Sequence, residues 1–164
     1  MQIKNISKLS LIHAKNPVLS RGFTVVELMI AVAIVGVLAA IAIPAYSGYQ
    51  EKARVYQAVT DVAAMSVTIE NYFQENRVYP ETLADVKLDG KLDPWDKPYR
   101  YLNLVKNGNG GARRDKNLVP LNSDFDLYSE GKDKKTKLPI SQKDSLDDIL
   151  RANDGKFVDL AEKY

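Results

Sequence analysis

From Leu28 to Tyr46 the chain runs 19 residues with no polar side chain except the Tyr46 hydroxyl, and from Leu28 to Gln50 it runs 23 residues without a charge. A single helix of that length crosses a bilayer. From Glu51 the pattern changes. Val55, Val59, Val62, Ala63, Ser66, Ile69, Tyr72 and Phe73 recur at three- and four-residue spacing, which predicts an amphipathic helix with one apolar stripe. The two patterns join into one predicted helix from Phe23 to about Phe73, apolar all round in its first half, with Pro44 bending or loosening it. At about 1.5 Å per residue such a helix spans roughly 75 Å. The domain built by the remaining residues is too small to cover it, so it needs a membrane or other copies of itself.

Beyond the helix, Tyr79-Pro80 is a stop. Thr82 to Val86 predicts a short helical turn, Lys87 to Trp95 a loop, Tyr99 to Val105 a strand, Asn107 to Gly111 a turn and Asp124 to Tyr128 a second strand. Gly131 to Lys143 is a polar loop. Ser145 to Arg151 reads as a short helix capped by Ser145, with Asp147 and Asp148 in its first turn, and Lys156 to Leu160 as a last strand. The expected fold is α+β, a helical spine packed on a small antiparallel β-sheet.

Charge and composition narrow the function. The 164 residues carry a net charge of +2, but Lys4, Lys8, Lys15 and Arg21 all precede Gly22 and no acid does. A chain starting at Phe23 has 142 residues and a net charge of −2. Arg113-Arg114 and Lys132-Asp133-Lys134-Lys135 are short, mixed with acids and free of interleaved aromatics, which argues against nucleic-acid binding. There is no Cys, and His13 is the one His. From Phe23 onward the commonest general base, the commonest soft metal ligands and the thiol nucleophile are all missing, so an enzyme is not expected. The basic stretch precedes the apolar one, which favours a cytoplasmic N-terminus and places everything after Glu51 outside.

Arg21-Gly22-Phe23-Thr24-Val25-Val26-Glu27-Leu28 carries the sharpest signal. A small residue and an aromatic stand at a natural cut point, and a lone carboxylate follows at the lip of the apolar run. An unpaired carboxylate in hydrocarbon costs several kcal/mol. A cut after Gly22 would create an amine at Phe23, four residues from Glu27. Within one helix that pair is strained; between staggered neighbours it is not. The segment resembles the N-terminus of the type IV pilin and pseudopilin superfamily. The resemblance implies that a prepilin peptidase cuts after Gly22 and methylates Phe23, and that Glu27 pairs with a neighbour's amine to set the stagger of a filament. Residues 1–22 are then a cleaved leader, 23–50 a transmembrane and filament-core helix, and 51–164 a periplasmic globular domain.

Two further segments resemble the major pseudopilin (G-type) of the type II secretion system. Asp93-Pro94-Trp95-Asp96-Lys97-Pro98-Tyr99-Arg100-Tyr101 is similar to its Asp-Pro-Trp-Gly-Asn-Pro-Tyr-x-Tyr signature, with Asp96 and Lys97 in place of Gly-Asn. This reads as a folding element. Asp124-Phe125-Asp126-Leu127-Tyr128-Ser129-Glu130-Gly131-Lys132-Asp133 is similar to a pattern that in that family forms a structural calcium site. The candidate ligands are Asp124, Asp126, Ser129 and Asp133, with Asp147 and Asp148 as further oxygens, a donor set that suits Ca²⁺. Lys132, Lys134 and Lys135 count against it. Residues from about Asp144 onward extend beyond the family pattern.

The expected role is mechanical: a structural subunit of a short periplasmic pseudopilus that helps drive protein export. It would form a helical homo-oligomer, with other pseudopilins, the prepilin peptidase and the inner-membrane secretion platform as partners. It would cross the inner membrane once. Two alternatives remain open, a minor subunit of a type IV pilus and a monomeric membrane-anchored binding domain. A monomer would gain nothing from an intramembrane carboxylate.

Overall fold

The computed structural model describes residues 22–164. Of the expected leader, only Gly22 falls among them. The chain divides into two units, one up to Ile43 and one from Pro44.

Helix α1 runs from Val25 to Asn76, and Pro44 lies inside it. Proline has no N–H, so one backbone hydrogen bond is lost at that point. Ser47 Oγ donates to the Pro44 carbonyl at 2.8 Å. In the first unit the helix is apolar on every side and, among the described residues, uncovered: Leu28, Val32, Val35, Leu38 and Ile41 are 61–67 % exposed. It is long and apolar enough to cross a membrane.

In the second unit the buried stripe of α1 is Ala58, Val62, Met65, Ser66 and Ile69. The expected stripe held Val62, Ser66 and Ile69 but missed Ala58 and Met65, and it included Ala63, which is exposed. The contact line follows 58, 62, 65 and 69, so a residue one step from Val62 is turned about 100° away from it. The helix ends at Arg77, whose φ of +62 is left-handed, and whose N–H still donates to the Phe73 carbonyl at 2.8 Å. Tyr79 then folds back so that its ring stacks on Phe73, centroids 4.3 Å apart.

The stripe packs on a four-stranded antiparallel sheet of β1 (Arg100–Asn103), β2 (Phe125–Ser129), β3 (Ile149–Ala152) and β4 (Phe157–Leu160), in that spatial order. Successive side chains on a strand face opposite ways. Phe125, Leu127 and Ile149 join Val62, Met65 and Ile69 in one core, while Leu150 and Ala152 join Leu121, Ile140 and Ala161 in a second. The sheet therefore has a covered face on each side at β3. This overturns the helix expected over Ser145–Arg151. Lys143–Ser145 is a single 3₁₀ turn, and Ile149 to Arg151 belong to a strand whose four residues are all buried. A strand buried on both faces shows no alternation, so its pattern cannot be told from a short helix. Ser145 caps nothing; its hydroxyl accepts from Lys137 N–H at 2.8 Å and donates to the Lys137 carbonyl at 3.0 Å. The strand expected over Tyr99–Val105 stops at Asn103, because the Asn103 side chain accepts from Lys106 N–H and caps a helical turn, Leu104–Asn107.

The Asp93–Tyr101 segment is the folding element its sequence suggests. Asp93 is buried, and its Oδ1 accepts from the N–H groups of Trp95 and Lys97, each at 2.9 Å. Its Oδ2 accepts from the Ser129 hydroxyl on β2. Trp95 Nε1 donates to Glu51 and the Tyr99 hydroxyl to Asp61, at 3.1 and 3.0 Å, so two aromatics of one loop grip α1 ten residues apart. Asp96 has a φ of +66, the conformation that glycine adopts without penalty and that the related signature fills with Gly. Asp96→Gly is therefore expected to raise stability by up to about 1 kcal/mol, and Asp96→Val to lower it by about 1–2 kcal/mol, as read from denaturant midpoints. A Gly variant less stable than the parent would contradict this account of the turn.

Candidate functional site

Two places carry the chemistry singled out in the sequence: the start of α1 and the acidic segment after β2. At the helix start, Thr24 N–H and Thr24 Oγ1 both donate to Glu27 Oε2, at 2.8 and 2.9 Å, and Glu27 N–H donates to Thr24 Oγ1 at 3.2 Å. This is a reciprocal capping box, with Thr24 as the cap and Glu27 three residues on. It uses nothing before Phe23, so it survives a cut after Gly22. The Thr-x-x-Glu spacing was readable in the sequence, yet Thr24 was passed over in favour of Glu27 alone. Phe23 is 91 % exposed, and among the described residues nothing lies within 4 Å of where a Cβ on Gly22 would stand.

The six candidate calcium ligands do not meet at one point. Asp124 accepts from both terminal guanidinium nitrogens of Arg151, Nη1 and Nη2, at 2.7 and 2.6 Å. Asp126 is buried on β2 and accepts from Arg113 N–H at 2.6 Å and from the Asn122 amide at 2.9 Å. Burial pushes its carboxyl up, against the pull of those two donors. Ser129 donates to Asp93. Asp148 is fully buried and receives Arg113 Nη2 and the Thr136 hydroxyl. Burial pushes this carboxyl up as well, opposed by the Arg113 guanidinium. Between Asp133 and Asp147 the contact is a backbone one, Asp133 N–H donating to Asp147 Oδ2 at 2.8 Å. Among the described residues no group of three or more His, Cys, Asp or Glu side chains is placed to hold a metal. The residues present therefore do not fit a single calcium centre. The glycine of the pattern is required by the backbone: Gly131 has a φ of +65, and a Cβ there would stand 2.2 Å from the Asp147 carbonyl oxygen.

The residues that answer these acids, Arg113 and Arg151, were missed. Nothing local marks them. Each lies 27 or more residues from an acid it binds, Asp124 for Arg151 and Asp148 for Arg113.

With this geometry in view, comparison with known proteins places the chain among pilin-like proteins of two kinds. Residues 19–43 match the prokaryotic N-terminal methylation motif. The chain is 30 % identical over 153 residues to the type IV major pilin protein PilE of Neisseria gonorrhoeae, covering 85 % of this chain and 89 % of that one. It is also 30 % identical over 135 residues to the type II secretion system core protein G of Pseudomonas aeruginosa, covering 70 % and 84 %. The core protein G of Escherichia coli is 30 % identical over 109 residues, covering 54 % and 75 %. This chain belongs to the type IV pilin and pseudopilin superfamily. It is a pilin-like filament subunit, anchored by one apolar helix, in a family of structural proteins. No solved structure matches it.

Within this pilin-like subunit, Arg151 is nearly inaccessible and also donates to Glu70 on α1 at 3.3 Å. The two partners differ in exposure, 14 % for the Asp124 side chain and 50 % for Glu70. Arg151→Met is expected to cost about 3–5 kcal/mol, since it strands a part-buried carboxylate, whereas Glu70→Ala should cost under about 1 kcal/mol because water screens that pair. Equal losses in urea titrations of the two variants would contradict the ranking.

Proposed function

We propose that this subunit is cut after Gly22 by a prepilin peptidase, methylated on Phe23, and polymerised through α1 into a short periplasmic filament serving type II secretion. The observation that carries the proposal is the first unit itself, a helix apolar on all sides, without cover, and opened by a capped carboxylate. Gly22 supports the processing step. Among the described residues nothing crowds the position, so their packing does not ask for glycine there; an enzyme that reads the position does. Glu27 supports the assembly step. Both Thr24 contacts fall on Oε2, and a carboxylate has a second oxygen for the Phe23 amine of a neighbour. In this arrangement the leader faces the cytoplasm, the helix crosses the inner membrane once, and the sheet-bearing unit lies in the periplasm beside other pseudopilins and the secretion platform.

The secretion role rests on the Asp93–Tyr101 segment, which resembles the G-type signature and which the fold uses as a unit. A type IV pilus subunit is the second reading. It is favoured by the longer alignment with PilE, 85 % of this chain against 70 % for core protein G, and by the segment after Asp144, which contributes two strands to the sheet.

Intact-mass measurement on protein from its own membranes is expected to show loss of residues 1–22 and gain of one methyl group; a mature form that retains Met1 where a prepilin peptidase is active would refute the processing step. Deleting the gene should leave export substrates in the periplasm while surface pili persist. Loss of pili with normal export would move the assignment to the pilus.

A further inference from the structure

The resemblance points to calcium at Asp124–Asp133, with Asp147 and Asp148 as further oxygens, yet the Gly131–Asp148 loop that follows this segment is gathered around a positive charge of its own. Arg113 lies in a different segment, next to the second core, and is only 2 % exposed. Its Nη1 donates to the Thr136 hydroxyl and, at 2.6 Å, to the Lys137 carbonyl. Its Nη2 donates to Asp148 Oδ2. Thr136 Oγ1 in turn donates to the same Asp148 oxygen at 2.7 Å. A carboxylate, a hydroxyl and a backbone carbonyl are the three donor classes that calcium selects. Here a planar guanidinium collects one of each, as its fork of donors allows. The Tyr128 ring lies against the guanidinium, 4.5 Å from ring centroid to the central carbon.

The surrounding backbone holds the arrangement in place. Arg113's carbonyl accepts from Leu121 N–H, Arg114 N–H donates to the Leu138 carbonyl, and Ile140 N–H donates to the Arg114 carbonyl, all at 2.8–2.9 Å. The loop's far end is tied by the Ser145–Lys137 pair already described. Arg113 Nε and Asp148 Oδ1 are the atoms of this pair left without a partner, one donor and one acceptor on the two side chains that already meet.

We propose that Arg113 is the resident cation of the Gly131–Asp148 loop, closing it through Asp148, Thr136 and the Lys137 carbonyl so that this domain folds without calcium. One positive charge answers one buried carboxylate; of the other candidate ligands, Asp124 and Asp126 are bound elsewhere in the fold, and Asp133 and Asp147 accept from the backbone N–H groups of Lys135 and Asp133. Asp126 takes Arg113 N–H and the Asn122 amide; Asp124 takes Arg151.

The test is thermal unfolding and amide hydrogen exchange of the whole processed chain in detergent, in millimolar calcium and in chelator. The expected result is one midpoint and one level of protection across residues 131–148 in both conditions. A bound calcium ion in hundredfold excess over its Kd would instead raise the midpoint by on the order of 10 °C. A rise of that size, or faster exchange of the loop in chelator, overturns the proposal, and neither reading requires a variant to fold. Arg113→Ala should lower the midpoint by on the order of 10 °C or more, because it leaves a buried carboxylate unanswered. Arg113→Ala with Asp148→Ala should recover part of that loss. A double variant no better than Arg113→Ala alone would show that the pair is not what ties the loop.

Discussion

Everything about this protein depends on an apolar helix that the other described residues do not cover. Fully burying a Leu, Ile or Val side chain is worth about 1.5–3 kcal/mol relative to leaving it in water. The segment from Leu28 to Ile43 presents such side chains on every side, most of them more than half exposed. Water cannot be their resting environment. Hydrocarbon can cover them, and so can other copies of the same helix, and a subunit that moves between the two exchanges one apolar surrounding for another. Such an exchange needs a directional contact to choose where it ends, because apolar packing alone does not set a register. Glu27 is the one charged group at that end of the helix after Phe23, and the Thr24 cap orients it.

The second unit meets the opposite problem. It must hold a small sheet against one helix stripe with no disulfide to help. It does so with an interior that is unusually ionic for its size. Asp93, Asp126, Glu130 and Asp148 are all buried, and each accepts at least one hydrogen bond from within the chain. Arg113 and Arg151 are buried with them. An unanswered charge in such a setting is far more costly than an exposed one, so these pairs enforce a unique arrangement: β2, β3, the loop between them and α1 satisfy their charges only when all are in place.

Much of the fold was legible in the sequence because its signals are local. The uncharged run, the shift to three- and four-residue spacing at Glu51, the Thr82 helical turn and the strand read at Asp124–Tyr128 each report on a few neighbouring residues, and the structure agrees with them. Ile149–Ala152 was misread for a physical reason: a strand buried on both faces loses the alternation that identifies strands. Ala63 was misplaced because a stripe three or four residues wide has ambiguous edges. Gly22, Phe23 and Glu27 could be singled out because their pattern lies along the chain, within the stretch that matches the methylation motif. The fate of the acids was not legible. Asp124 and Asp148 looked like metal ligands because their partners, Arg151 and Arg113, come to them only through the folded topology.

The central claim is that copies of α1 cover one another, in a stagger set by Glu27. Since the chain has no cysteine of its own, cysteine pairs introduced along the exposed Leu28–Ile43 surface can report contacts between neighbouring subunits in the membrane without background. The account predicts oxidation ladders of several subunits in the parent and their loss in Glu27→Ala, with membrane insertion unchanged because removing a charge only makes the span more apolar. Ladders of the same length and pattern in Glu27→Ala would contradict it.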